Sequence, residues 1–186
     1  GRFFGNRALE GGALYLKGSS NSESQKISGG EFSGNFADWG GAICLAWKYL
    51  RISGGSIEGN TAAYGGGGIY TYGTRLDLLG GRISGNAVTA QAWGETPKNR
   101  PAQGGGVYAY RDVSVDGSAV VEGNTAGGVQ SNLYLSTVGT SLVGEITKQF
   151  TGRVGLSFQM PEEGPTAATG LRVMKSGYFT NPAVSW

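Results

Sequence analysis

The sequence has no histidine and a single cysteine, and these two shortages exclude several kinds of site. Without histidine, neither a Ser-His-Asp triad nor a Cys-His pair can form. One cysteine can form neither an internal disulfide nor a zinc site. The acidic residues form no cluster suited to calcium. We therefore predict no metal site and no cofactor.

Long apolar runs and strong charge are also lacking. No segment approaches the ~20 apolar residues that span a bilayer, so we predict no membrane insertion by this segment. The net charge is only +2 and the basic residues are scattered, which argues against nucleic acid as a partner. Proline totals five and glycine does not recur every third residue, which excludes collagen.

Glycine, in contrast, is abundant, at 36 of 186 residues. The chain is also 39% hydrophobic and 11% aromatic, which argues against disorder. A glycine-rich chain with this apolar content is typical of short strands joined by tight turns. Its length is that of one domain.

A repeated motif organises the chain. An apolar residue, any residue and then Gly-Asn occurs five times, and a small apolar residue follows two positions after each asparagine. The asparagines are Asn6, Asn35, Asn60, Asn86 and Asn124. The two central gaps between them give a period of about 25 residues, and the longer gaps reflect insertions near 18–25 and 89–103.

Two further elements keep nearly constant offsets from the asparagines. One is a Gly-apolar-Tyr strand, as at Gly68-Ile69-Tyr70, and the other is the Ile-Ser-Gly-Gly segment, as at 52–55. Apolar residues alternate with period two, which is strand spacing. We predict three short strands in each unit: one ending at Gly-Asn, one through the tyrosine position and one through Ile-Ser-Gly-Gly.

Such a unit cannot bury its apolar face alone, but stacked units build a continuous core with strands ~4.8 Å apart. The sequence therefore predicts an all-β chain, a right-handed parallel β-helix of about five to seven coils with roughly 25 residues per coil. The hand is the default for parallel crossovers. An antiparallel sandwich is the main alternative, but it would not require these constant offsets.

We predict that residues 1–158 form the repeats and that 159–186 form a terminal loop, a last strand and a tail or cap, in which Trp186 folds back over the open end. Because the first residues already belong to a repeat, we expect a piece of a longer protein with flanking repeats.

The segments Phe32-Ser33-Gly34-Asn35 and Gly41-Ala42-Ile43 resemble the paired short motifs of chlamydial polymorphic outer-membrane proteins. The fuller units 52–70 and 83–108 resemble the glycine-rich repeats of large bacterial surface proteins with a pectate-lyase-like β-helix. The resemblance covers roughly residues 1–135. It implies an exported passenger or stalk region that serves adhesion or display.

The asparagines are predicted to form a structural ladder, in which each amide bonds backbone groups at a turn and stacks on its neighbours. The alternative is a row of amide oxygens that binds a ligand or cation.

The tyrosines are the main candidates for a binding surface. If the apolar residues of their strands point inward, the tyrosines form an outward aromatic strip suited to sugar stacking or protein contact. The candidates are Tyr15, Tyr70, Tyr72, Tyr108, Tyr110 and Tyr134. Stacking for sheet stability alone is the alternative. Cys44 occupies the same outward position and is predicted to be a small filler. Trp93, in the second insertion, is a second candidate contact residue.

Carboxylates are the remaining route to catalysis. Glu58 and Glu122 are predicted to lie in one column, roughly 9.6 Å apart, at the edge of the spacing used by inverting glycosidases. Arg51 and Asp77 are predicted to form a surface ion pair. No third acid joins Glu58 and Glu122, so we predict that the chain is not an enzyme.

The sequence thus predicts a non-catalytic structural or adhesive segment of a bacterial cell-surface or secreted protein. Its expected partner is a host or bacterial surface protein or a glycan. The alternatives are a carbohydrate-binding β-helix module and a polysaccharide-degrading enzyme.

Overall fold

A computed structural model describes residues 1–18, 24–73, 75–89, 102–136, 143–146, 151–158 and 172–175. Most of both predicted insertions, with Trp93, lies outside the described residues. The predicted tail and cap also lie outside them, apart from one strand within 159–186.

The described residues form β-strands and no helix. In chain order these are β1 (Arg2–Phe4), β2 (Arg7–Glu10), β3 (Leu14–Lys17), β4 (Gln25–Ile27), β5 (Glu31–Ser33), β6 (Phe36–Trp39), β7 (Ile43–Ala46), β8 (Leu50–Glu58), β9 (Thr61–Gly65), β10 (Ile69–Tyr72), β11 (Leu76–Ser84), β12 (Ala87–Val88), β13 (Val107–Ala109), β14 (Val113–Val115), β15 (Val120–Glu122), β16 (Thr125–Ala126), β17 (Val129–Gln130), β18 (Leu133–Leu135), β19 (Val143–Ile146), β20 (Arg153–Val154), β21 (Leu156–Phe158) and β22 (Arg172–Lys175).

The strands form three sheets that run along a solenoid. Sheet 1 has ten strands, with the main order β1-β5-β8-β11-β14-β19-β22. Sheet 2 has the order β2-β6-β9-β12-β16-β17, and sheet 3 the order β3-β7-β10-β13-β18-β21. Neighbouring strands are parallel throughout the described chain except for the antiparallel pair β16–β17.

The predicted all-β solenoid with parallel sheets is confirmed. It has about four turns of about 26 residues, so the prediction of five to seven coils was too high. The insertions lengthen some coils without adding turns, which is why division of the chain length by the period overcounts. The right-handed winding stays a prediction.

The division of each coil into strands differs from the prediction. The Ile-Ser-Gly-Gly segment and the strand that ends at Gly-Asn are continuous in β8 and β11, with register shifts around Gly80. Sheet 2 is instead built from short strands that begin directly after the asparagine, such as β9. The asparagine is therefore the corner between sheet 1 and sheet 2.

The core lies inside the three sheets and is filled by stacked apolar side chains. In sheet 3, Leu14, Ile43, Ile69, Val107 and Leu133 occupy equivalent positions in register. All but Leu14, in the first coil, are buried. The residues that alternate with these apolar ones along each strand face outward, as strand geometry requires. The fold thereby fixes the outer face of sheet 3, on which the candidate site is built.

Candidate recognition site

The five predicted asparagines lie in one column and are joined by hydrogen bonds, a feature we call the asparagine ladder. The Oδ1 atom of Asn60 accepts bonds from the backbone N and the Nδ2 of Asn35, both at 2.9 Å. Asn86 and Asn124 accept the same pair of bonds from the coil before them. From Asn35 to Asn124 the ladder is buried, and Asn6 is its exposed first member. Its amides are thus engaged with each other and with the backbone, which leaves them a structural role.

A sixth member, Asn132, was missed by the sequence analysis. Its Oδ1 accepts bonds from the backbone N and the Nδ2 of Asn124, at 2.9 and 3.0 Å. The short antiparallel pair β16–β17 turns the chain back, so that a residue only eight positions later lies next to Asn124. Asn132 directly precedes its strand, where the two coils before it have Gly68 and Gly106, and that replacement was the available signal.

The tyrosines also form a column, on the outer face of sheet 3. Strand register aligns Tyr15, Cys44, Tyr70, Tyr108 and Tyr134. The rings of Tyr70 and Tyr108 are stacked with centroids 5.1 Å apart, and those of Tyr108 and Tyr134 with centroids 5.2 Å apart. We call this row the tyrosine column. Tyr72 and Tyr110 form a second pair beside it, 5.1 Å apart.

The column is not an evenly exposed strip, which corrects the sequence-based picture. Tyr15 is 41% exposed, Tyr70 and Tyr108 are half-buried, and Tyr134 is only 5% exposed. Burial, and then the neighbouring Tyr108, raise the pKa of Tyr134 well above its usual range. Tyr134 therefore supports the stack, and the accessible rings lie towards the first coils.

Cys44 interrupts the column and creates a cleft. A cysteine and then Ala46 occupy the outward positions of β7, where β10 has Tyr70 and Tyr72. The gap is a cleft of about 350 Å³, which we call the aromatic cleft. Its lining residues are Glu10, Tyr15, Lys17, Trp39, Cys44, Ala46, Trp47, Tyr70 and Tyr72.

Two tryptophans line the sides of the aromatic cleft, and both lie outside the strands of sheet 3. Trp39 is the last residue of β6 in sheet 2. Its ring centroid lies 4.8 Å from that of Tyr70, and the two ring planes form an angle of 50°. Trp47 follows β7 and meets Tyr72 edge to face at 5.4 Å. Neither residue was predicted from the sequence. Trp39 reaches the cleft from the end of a sheet 2 strand, and Trp47 reaches it from the turn after β7.

The backbone of Trp47 is unusual. It has φ of 60°, the only positive φ of a residue other than glycine among the described residues. This left-handed conformation costs roughly 1–2 kcal/mol for an L-residue with a Cβ. Gly73 makes room for the indole, since a methyl group there would lie 2.6 Å from its ring. The fold thus holds Trp47, 45% exposed, in a costly conformation beside the cleft.

Two charges of opposite sign complete the rim. Glu10 ends β2 and Lys17 ends β3, and both are exposed. Partial burial raises the pKa of Tyr15, and a hydrogen bond to Glu10 raises it further. The Tyr15 hydroxyl therefore stays protonated at neutral pH, which leaves the cleft with one anion, one cation and neutral hydroxyls.

Cys44 is expected to be chemically inert. It is 2% exposed, and burial together with the nearby Glu10 charge raises the pKa of its thiol to about 12. Since the thiolate is the nucleophile, we expect negligible alkylation by iodoacetamide at pH 8 in the folded chain. The same chain in denaturant should react fully, with mass spectrometry as the readout. Equal rates in the two conditions would contradict the burial.

The carboxylates considered for catalysis are joined by an arginine. Arg82 lies between Glu58 and Glu122, 3.3 Å from one carboxylate and 2.9 Å from the other. Ser84 also donates to Glu58 at 3.0 Å. Both carboxylates are engaged by the same guanidinium, whereas a glycosidase needs its two carboxyl groups placed on either side of a glycosidic bond. The cluster is an ion-pair network on the face of sheet 1.

Asp77 has more ion-pair and hydrogen-bond partners than predicted. Its carboxylate lies 3.5 Å from Arg51, as the sequence suggested, but also 2.7 Å from Arg75. The Tyr49 hydroxyl donates a hydrogen bond to it. Burial, and then this bond to Asp77, raise the pKa of Tyr49. The group is a buried carboxylate neutralised by its neighbours.

Within the described part of the chain, no group of three His, Cys, Asp or Glu side chains could hold a metal ion. No helix in that part has the length and apolar character of a membrane span.

Comparison with known proteins gives one match. The family model described as the Chlamydia polymorphic membrane protein repeat matches residues 29–46 and 54–72. Each matched segment begins at a pair of adjacent glycines, passes through the Gly-Asn motif and ends with the sheet 3 strand of the same coil. Two coils are thus similar to this repeat. These coils carry Asn35 and Asn60 and also Trp39, Cys44 and Tyr70 of the aromatic cleft. No curated protein and no solved structure matches the chain.

Proposed function

We propose that this chain is a non-catalytic adhesive segment of a bacterial cell-surface or secreted protein, with the aromatic cleft as its contact site. The observation that carries the proposal is the cleft itself. Tyr15, Trp47 and Tyr72 are each more than 40% exposed and line one concave site. Clustered exposed aromatics are typical of recognition surfaces.

The surroundings of the cleft support recognition over catalysis. The acidic pair on sheet 1 is bridged by Arg82, and Asp77 is neutralised by two arginines. The cleft has one carboxylate, Glu10, and no second acid among its lining residues. A glycosidase would need two carboxyl groups flanking one bond.

The scaffold suits display at a distance from an anchor. Each coil contacts only its neighbours, so a solenoid extends in proportion to the number of its repeats. The similarity to the Chlamydia polymorphic membrane protein repeat supports a bacterial surface location. A pectate-lyase-like winding and contact with flanking repeats are parts of the same proposal, as is a host or bacterial surface protein or glycan as partner.

Adhesion can be measured directly with beads coated with the purified chain. We expect such beads to attach to cultured epithelial cells well above beads coated with a heat-unfolded sample. Incubation with pectin, xylan and chitin oligosaccharides should release no new reducing ends. Attachment no greater than that of the unfolded control, or release of reducing ends, would contradict the proposal.

A further inference from the structure

The aromatic cleft lies where Cys44 and Ala46 of β7 are in register with Tyr70 and Tyr72 of β10. Cys44 itself is only 2% exposed, and the ring centroid of Trp39 lies 4.8 Å from that of Tyr70, close to the 5.1 Å spacing of stacked rings in the column. The open part of the cleft therefore lies around Ala46, beside the exposed rings of Tyr15, Trp47 and Tyr72.

We propose that this space binds a single neutral pyranose residue of a glycan, an inference that rests on the proposed function and names its ligand. Tyrosine and tryptophan rings present apolar faces to the C–H faces of a sugar. The rim offers a hydroxyl at Tyr15, an acceptor at Glu10 and donors at Lys17. A volume of about 350 Å³ lies within the range of small-molecule sites.

An extended peptide fits the cleft less well. Peptides that bind sheets usually add a strand at a free edge, where main-chain hydrogen bonds supply affinity. Here the floor is β7, which is paired with β3 on one side and β10 on the other. Its backbone groups are used by the sheet, so the contact must come from side chains and favours a ring with hydroxyl groups.

The charges at the rim select the class of sugar. Glu10 and Lys17 carry opposite charges, so the rim has no excess of positive charge for a sialic acid or uronic acid. The carboxylate of such a sugar would also meet Glu10. Neutral hexoses and N-acetylhexosamines lose nothing to either group and can hydrogen-bond both.

The decisive variant is Ala46→Tyr, which places the ring that β10 has at Tyr72 where the sugar would lie. A second variant, Trp47→Asn, removes a wall but keeps a residue that tolerates positive φ. The matched control is Phe4→Ala, which removes an exposed aromatic side chain on sheet 1. Circular dichroism and thermal melting establish that each variant is folded.

The test is a glycan array, followed by titration with methyl glycosides of neutral hexoses and N-acetylhexosamines. We expect array signals on neutral terminal pyranoses, a loss of at least tenfold for Ala46→Tyr and Trp47→Asn, and less than twofold change for Phe4→Ala. Silence on the array, selective binding of acidic sugars, or unchanged binding by folded Ala46→Tyr would overturn the inference. Preferential binding of tetramethylammonium would also overturn it, since an aromatic cage beside Glu10 would then be a cation site.

The bead assay distinguishes failure of the sugar site from failure of the adhesive function. Beads coated with Ala46→Tyr that still adhere would leave the adhesive function standing and reject the sugar site. Failure of the wild-type beads to adhere would reject the adhesive function.

Discussion

Asn60→Ala is expected to lower the free energy of unfolding by about 3 kcal/mol. The Asn60 side chain is buried and makes bonds on three sides. Its Oδ1 accepts from the backbone N and the Nδ2 of Asn35, and its Nδ2 donates to the Phe32 carbonyl and to Asn86 Oδ1. Alanine would leave two N–H donors of Asn35 and the Phe32 carbonyl without these partners. Each unsatisfied buried group costs about 1–3 kcal/mol, less whatever water or small shifts recover.

Urea unfolding of Asn60→Ala and Asn6→Ala tests this expectation with a matched pair. Asn6 donates to Asn35 through both its backbone N and its Nδ2, but it is exposed. Its truncation leaves the backbone bond in place, so we expect a loss below about 1 kcal/mol. Equal losses for the two variants would show that the ladder contributes no more inside the solenoid than at its exposed end.

Gly67→Ala is expected to be at least as damaging, with a loss of about 3 kcal/mol or more, or failure to fold. A methyl group at Gly67 would overlap the carbonyl oxygen of Gly105 in the next coil and lie 2.6 Å from that of Ala87. These are backbone atoms, and Gly67 is itself tied to the Gly104 carbonyl at 3.1 Å. The coils can therefore not separate locally without breaking the hydrogen bonds that join them in the turn from sheet 2 to sheet 3.

Gly59→Ala is the control for this steric effect. Gly59 has φ of +62°, and a methyl group there would meet no atom within 4 Å. Its expected loss is the conformational cost alone, roughly 1–2 kcal/mol. Thermal melting of both variants distinguishes the causes. A Gly67→Ala variant no less stable than Gly59→Ala would contradict the close approach of the coils.

The solenoid could be predicted from the sequence because the asparagines, its most regular feature, are also its most constrained positions. A buried amide must meet the same partners in every coil, so the asparagines keep constant offsets and reveal the period. The strands of sheet 2 were hidden, because they are short and rich in alanine, threonine and glycine, as in β9 and β16. Continuity of β8 through Gly54-Gly55 was also hidden, because that pair is typical of a turn.

The candidate site was only half visible in the sequence. Alternation placed the tyrosines and Cys44 on one outward face, and that placement follows from strand geometry alone. The decisive features were the opening around Ala46 and the two tryptophans that line it. Trp39 reaches the cleft from the end of another sheet, and Trp47 reaches it through a left-handed turn residue accommodated by Gly73. Such contacts depend on the folded arrangement of separate segments.

Recognition in the aromatic cleft is tested most directly by the indole N–H signals of the protein. The chain has four tryptophans, of which Trp39 and Trp47 line the cleft. In a two-dimensional ¹H–¹⁵N spectrum recorded during titration with the methyl glycosides, we expect the signals of these two indoles to shift. The signals of Trp93 and Trp186 should stay in place, and folded Ala46→Tyr should show no shifts. Shifts confined to Trp93 or Trp186, or no shift in any indole, would contradict the claim.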